Sequence, residues 1–286
     1  MIISEHYHWT NAELRDTWDL AALGWAKWEP TISAGLANAT DMMMDMAGIR
    51  PGMRVLDVAC GAGDLTIRLA ERVGPSGSVV ASDISPIMLI LLQGNVERTG
   101  LRNIETLECA VEDLTEADGP FDAVICRMSL VLFPSTANAL EAIHRMLKPG
   151  GRFAALIYTT AENNPTMSRP IEILLRHANK ARPSPRKSRL FTLGNDGVLE
   201  GLLTGSGLTD VRTETVQERP TRLEPLDAMK MRQEAFGSFR SVVADLSPDQ
   251  QTAAWMDVHD CLKRYELGGD LEKKLEVKIG SGARPG

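Results

Sequence analysis

Between Arg54 and Tyr158 the chain alternates short apolar runs with longer amphipathic ones, and the alternation predicts its architecture. "RVLDVA", "GSVVASD", "NIETLECA", "FDAVICR" and "GRFAALIY" are strand-like: apolar or alternating, and too short for helices. "DLTIRLAERVG", "SPIMLILLQGNVERTG" and "ANALEAIHRML" read as the intervening helices. Strands alternating with helices of this length predict a parallel sheet covered on both faces, a doubly wound α/β domain. Further on, "VLEGLLTGSG" reads as a helix, "TDVRTETVQE" as a strand, residues 225–266 as a helical stretch and "KKLEVKIG" as a final strand.

The flanking regions follow other patterns. Thr10 and Glu13 have the spacing of a capping box, and the helix they open is expected to run to about Trp28 and to be broken by Pro30. A second helix is expected from about Ser33 to Ala47, ending at Gly48. After Tyr158, "TTAENNPTMSRP" reads as loop, residues 170–179 as helix, and "KARPSPRKSR" as a basic, Pro-rich connector of the kind that is usually a solvated loop.

Composition narrows the class of ligand. The 286 residues are 43% hydrophobic, enough for a full core, and the formal charge of −7 argues against nucleic acid or anionic membrane as a partner. No apolar run approaches the roughly 18 residues that span a bilayer, and no leader-like segment opens the chain, so a cytoplasmic protein is expected. Cys60, Cys109, Cys126 and Cys261 show neither disulfide-rich nor zinc-site spacing.

The chemistry is concentrated in "VLDVACGAGDLT". In open parallel sheets, ligands bind beyond the carboxyl ends of the strands, where a glycine turn admits close backbone approach and a helix N-terminus favours anions. Gly61 and Gly63 offer that approach, and Asp83 ends the next strand, where a carboxylate can accept both hydroxyls of a ribose. An adenosine-containing ligand follows. A dinucleotide fingerprint would place glycine or alanine three residues after the second glycine, where this chain has Thr66. A nicotinamide-dependent oxidoreductase is thereby disfavoured.

These motifs resemble the class I S-adenosylmethionine-dependent methyltransferases, in particular those of the ubiquinone and menaquinone C-methyltransferase type. "WDLAALGW" is similar to an N-terminal segment of that family, "RPGMRVLDVACGAGDLT" to its first motif, and "VVASDISPIML" to its second strand. "FDAVICRMSLVLFP" and "HRMLKPGGRFAAL" match the fourth strand and the turn before the fifth. The resemblance implies a Rossmann-like sheet of about seven strands, the last antiparallel, with a helical cap. It also implies a lid over residues 1–30, a methyltransferase domain over 31–286, and cap insertions at about 160–195 and 225–266.

Its binding residues carry over one at a time. Ala59, Cys60, Gly61 and Gly63 would line the methionine part of S-adenosylmethionine, Asp83 would take the ribose, and Ile84 and Met88 would flank the adenine. Trp18 and Trp25 would lie in the lid. Where the family often has an acid for the adenine amino group this chain has Ala110, leaving the backbone of Val111 and the side chain of Glu112 or Asp113. Arg127 is a candidate for the methionine end or the substrate, or an ion pair at a strand end.

An activated methyl group needs mainly an acceptor aligned for in-line displacement, so a catalytic base is optional. His144 reads as structural, and His6 and His8 are weak candidates in an N-terminal arm. No metal site is visible in the spacing. The expected activity is methyl transfer to carbon, oxygen or nitrogen of a small hydrophobic acceptor, a homodimer being left open. The alternative is a protein that binds S-adenosylmethionine as a sensor or accessory subunit without turning it over.

Overall fold

A computed structural model describes residues 10–115, 117–180, 189–267 and 274–286. Its centre is a seven-stranded sheet in the order β3-β2-β1-β4-β5-β7-β6. The strands are β1 (Arg54–Val58), β2 (Ser78–Asp83), β3 (Ile104–Glu108), β4 (Phe121–Arg127), β5 (Leu147–Tyr158), β6 (Thr209–Glu218) and β7 (Leu275–Ala283). β1 to β5 pair in parallel, while β7 runs antiparallel to both β5 and β6. β1, β2, β4 and β7 are buried almost throughout, as strands covered on both faces must be. β3 and β6 carry charged side chains and are largely solvent-facing, which suits the two edges.

Helices cover both faces. One side packs α2 (Ala37–Met46) and α3 (Asp64–Val73) through Met43, Met44, Leu65 and Leu69; the other packs α5 (Thr136–Met146) and α7 (Val198–Gly205) through Leu140, Ile143, Leu199 and Leu203. α4 (Pro86–Thr99) covers β2 and β3, with Leu89 and Leu92 buried. A separate apolar core, with Met167, Leu174, Phe239, Trp255, Val258 and Leu262, is built by α6 (Pro165–His177), α9 (Gly237–Val243) and α10 (Pro248–Glu266), with α8 (Pro225–Ala235) packed on α10. This is the cap.

Two expectations about prolines are corrected. α1 spans Asn11–Ala34 and passes through Pro30 instead of stopping there, and α2 is correspondingly short. Burial of Trp28 and Glu29 before the proline and Ser33 after it holds the helix together. α6 starts at Pro165, inside the stretch read as loop, because a proline in the first turn loses a donor that has no helical partner anyway. Pro170 would leave the Thr166 carbonyl without its helical donor. The buried Arg232 supplies one instead, its Nε lying 2.9 Å from that oxygen.

Neighbouring strands β1 and β4 mark the reversal of chain order, the place where open α/β sheets form a ligand crevice. The site lies there.

Candidate active site

β1 ends at Val58 and the chain turns sharply into α3. Ala59 takes up the left-handed region at φ 55°, and so does Met128, at φ 65°, just after β4. Non-glycine residues held there cost roughly 1–3 kcal/mol each and collect at ligand sites. Both line one cleft of about 850 Å3.

Gly61, at φ 58°, serves close approach: a Cβ there would stand 2.9 Å from the indole nitrogen of Trp25. Its N–H donates to Asp83 Oδ2 at 3.0 Å, fixing the carboxylate at the end of β2. Gly63 corrects an expectation. A Cβ on it would meet Leu92 at 2.6 Å, so this glycine lets α3 and α4 pack closely and does not line the cleft.

Thr66 is fully buried and donates to Asp57 Oδ2 at 2.6 Å, tying β1 to α3. Burial pushes Asp57 up to about 7, against the Thr66 hydrogen bond and the charge of Arg127. Asp83 is pushed up to about 6 by burial, although the backbone N–H groups of Ser85, Gly61 and Ile84 oppose the rise. Arg127 bonds Asp64 Oδ2 through both terminal nitrogens at 3.1 Å and Ser33 Oγ at 3.3 Å. It is thus an ion pair at a strand end that also borders the cleft.

Of the two acids expected here, Glu112 lines the cleft and Asp113 does not. Its Oε1 is buried with no hydrogen-bond partner, the only such side-chain atom found among the described residues. Burial raises its pKa. A buried acceptor without a donor is unfavourable by about 1–3 kcal/mol, so it calls for a donor from a ligand.

α1 roofs this arrangement. Trp18 and Trp25 line the cleft, stacked edge to face with centroids 5.7 Å apart, and Trp25 meets Phe236 of the cap at 6.0 Å. Trp28 turns away and donates to Glu234 Oε2 at 2.7 Å, beside the Lys27 ion pair to the same oxygen. The approach is tight: a Cβ on Gly24 would lie 2.2 Å from the Glu234 carbonyl oxygen. On the sheet side Asp19 accepts from Ser85, the N-cap of α4.

Of the residues expected to bind cofactor, Trp18, Trp25, Ala59, Cys60, Gly61, Asp83, Ile84, Met88, Val111, Glu112 and Arg127 all line the cleft. His6 and His8 lie outside the described residues. His144 is on α5, near Gly207 and away from the cleft. Reasoning from sequence missed Glu29, a buried carboxylate on the roof, whose only signal is its place on the helical stripe of Trp18, Trp25 and Ile32 once α1 is continued past Trp28. Beyond the glycine turn the cleft runs under the cap, between Phe133, Tyr158, Ile171, Leu175, Leu190 and Val242. An S-adenosyl group fits this set of groups: a fixed acid to accept from a ribose, an acceptor atom without a partner for an amino group, and a glycine turn between them.

The fold and this crevice define a class I S-adenosylmethionine-dependent methyltransferase architecture. The chain belongs to the ubiE/COQ5 methyltransferase family, whose model matches residues 31–178. It is 37% identical over 121 residues to a ubiquinone/menaquinone biosynthesis C-methyltransferase of Ectopseudomonas mendocina, covering 42% of this chain and 47% of that protein. The corresponding protein of Hydrogenovibrio crunogenus is 38% identical over 117 residues, covering 41% and 46%. The chain thus spans about half the length of the curated relatives it matches. Among solved structures, the [4+2]-cyclase SpnF aligns over 96% of both chains with a TM-score of 0.63 at 16% identity. The YcgJ protein of Bacillus subtilis aligns over 87% of this chain and 99% of its own, with a TM-score of 0.57 at 16% identity.

Proposed function

We propose that the protein transfers a methyl group from S-adenosylmethionine to carbon, oxygen or nitrogen of a small hydrophobic acceptor by in-line displacement. One observation carries the reading: a single cleft joins the acid-lined end at Asp83 and Glu112 to an apolar end under the cap. When bound, the cofactor supplies an already activated methyl group. In this reading Asp83 accepts from the ribose, Ile84 and Met88 flank the adenine, the Val111 N–H meets the ring, and Glu112 takes its amino group. The backbone of Ala59, Cys60 and Gly61 lies along the methionine part, with Arg127 at its edge.

Chemistry is then mostly positioning. α1 acts as the lid, with Trp18 and Trp25 excluding water from the reacting centre, and α6 and α8 to α10 act as the cap that selects the acceptor. Relatives named for ubiquinone and menaquinone biosynthesis support an apolar ring acceptor. The fold by itself does not choose the reaction, since a cyclase shares it.

Isotope-labelled S-adenosylmethionine incubated with a panel of apolar phenols, quinols and amines tests the proposal. Label transferred to one class of acceptor supports it. Tight S-adenosylhomocysteine binding with no transfer to any acceptor favours a binding-only protein, and no binding of either nucleoside removes the cofactor assignment.

A further inference from the structure

Glu29 is the feature of the cleft that the reading above does not use. It projects from α1 into the cleft, its residue only 5% exposed. Its Oε1 accepts from Trp25 Nε1 at 3.1 Å, and the backbone N–H of Asp64, at the start of α3, also reaches the carboxylate. Among the described residues no Lys, Arg or His forms an ion pair with it. The nearby cation, Arg127 on β4, is already bound to Asp64 and Ser33.

Taking a carboxylate out of water without a cationic partner is unfavourable. Burial accordingly pushes Glu29 up to about 7, with Arg127 lowering it and Asp64 raising it. Yet α1 turns this side chain inward, where an apolar residue would pack without penalty. The carboxylate also has a definite address. Its Oε1 lies 3.7 Å from where a side chain on Gly61 would begin, above the glycine turn and away from the apolar end under the cap. Gly61 in turn bonds Asp83, so a ligand whose ribose rests on Asp83 extends past Gly61 to Glu29. A general base for the acceptor would be expected at the other end, near Ile171 and Val242.

We infer that Glu29 is the counter-ion for a primary ammonium group of the bound ligand, delivered by the lid helix, so that seating α1 and neutralising the ligand's amino-acid end are one event. The inference rests on the proposed cofactor reading, in which that ammonium belongs to the methionine part of S-adenosylmethionine. A residue contributed by α1 makes the cofactor itself hold the lid shut. Gly61, whose missing side chain leaves room for Trp25, permits the contact.

The test compares S-adenosylhomocysteine with its deaminated analogue, by calorimetry, on the full chain and on Glu29→Gln. Glutamine keeps the size and an acceptor for Trp25 while removing the charge. The unaltered protein should bind S-adenosylhomocysteine about tenfold or more tightly than the deaminated analogue, and the preference should largely vanish in Glu29→Gln. An undiminished preference in Glu29→Gln, or none in the unaltered protein, overturns the inference. Glu29→Asp is the second variant, should Glu29→Gln fail to fold. It retains the charge but draws it back by one methylene, so it should weaken S-adenosylhomocysteine and spare the analogue, and equal weakening of both overturns the assignment. If the unaltered protein binds neither compound, the cofactor reading has failed, independently of what Glu29 does.

Discussion

The sheet half and the cap half of this molecule are held together by different means. In the sheet half, strands buried on both faces meet helices through continuous apolar surfaces, and polar ties such as Thr66 to Asp57, Gly61 to Asp83 and Arg127 to Ser33 are added to them. The cap has an apolar core of its own, yet its helices also depend on polar ties between distant residues: Arg232 to the Thr166 carbonyl, and Glu266 to the Leu223 N–H at 3.0 Å. The family match, residues 31–178, takes in the cofactor-facing strands and stops at the end of α6. One half thus lies mostly inside the family match and the other mostly outside it, with the cleft between them.

The largest effect should come from the cap. Arg232→Ala leaves the Thr166 carbonyl without its donor and removes a buried charge that Glu266 attracts, and breaking such a buried charge interaction typically destabilises by about 3–5 kcal/mol. Urea unfolding should shift by that amount, with proteolysis directed to the cap; a change under about 1 kcal/mol would show the two halves to be equally robust. Next, Asp83→Ala should leave the fold intact but weaken S-adenosylhomocysteine by about 1.5–3 kcal/mol, through loss of a charged acceptor. Unchanged affinity by calorimetry would remove Asp83 from the site.

Gly24→Ala tests the seam. The new methyl group would press on the Glu234 backbone and should cost about 1–3 kcal/mol while weakening cofactor binding and altering Trp25 fluorescence. Normal affinity with an unmoved emission spectrum would show that α1 need not seat tightly. The last expectation concerns pH. Burial raises Glu29 and Asp57 to about 7 and Asp83 to about 6, so the folded state keeps protons there that the unfolded chain releases near pH 4. Their stabilisation is full below that point and is lost as pH rises through about 6–7. Glu13 and Asp210 are shifted downward by hydrogen bonds to Thr10 and Arg152, and their contribution fades only in more acidic solution. The melting temperature of ligand-free protein should thus fall between about pH 5 and 7.5, and a rise would mean the three acids are ionised when folded.

The two halves were also unequally legible. β4 and β6 coincide with "FDAVICR" and "TDVRTETVQE", because strand period, turn glycines and apolar runs are properties of a few adjacent residues. α6 was misjudged because two prolines argue locally for a loop, while the compensating donor, Arg232, lies 66 residues away in sequence. Pro30 misled for the same reason and took Glu29 with it, since a helix ended at Trp28 never carries Glu29 to the cleft. Gly63 shows the converse. Its spacing marks a ligand turn, but only Leu92, from another helix, reveals that its small size serves packing.

The contacts of α1 also set an order of events while the chain is being made. Trp28 leaves the ribosome 206 residues before Glu234, a delay of roughly 10–40 seconds at common elongation rates. Through that interval Trp25 lacks Phe236 of the cap, and β7, which must slot between β5 and β6, is later still. α1 therefore completes its contacts only after the cap has been made, and until then the nascent chain carries apolar surface that is prone to aggregate.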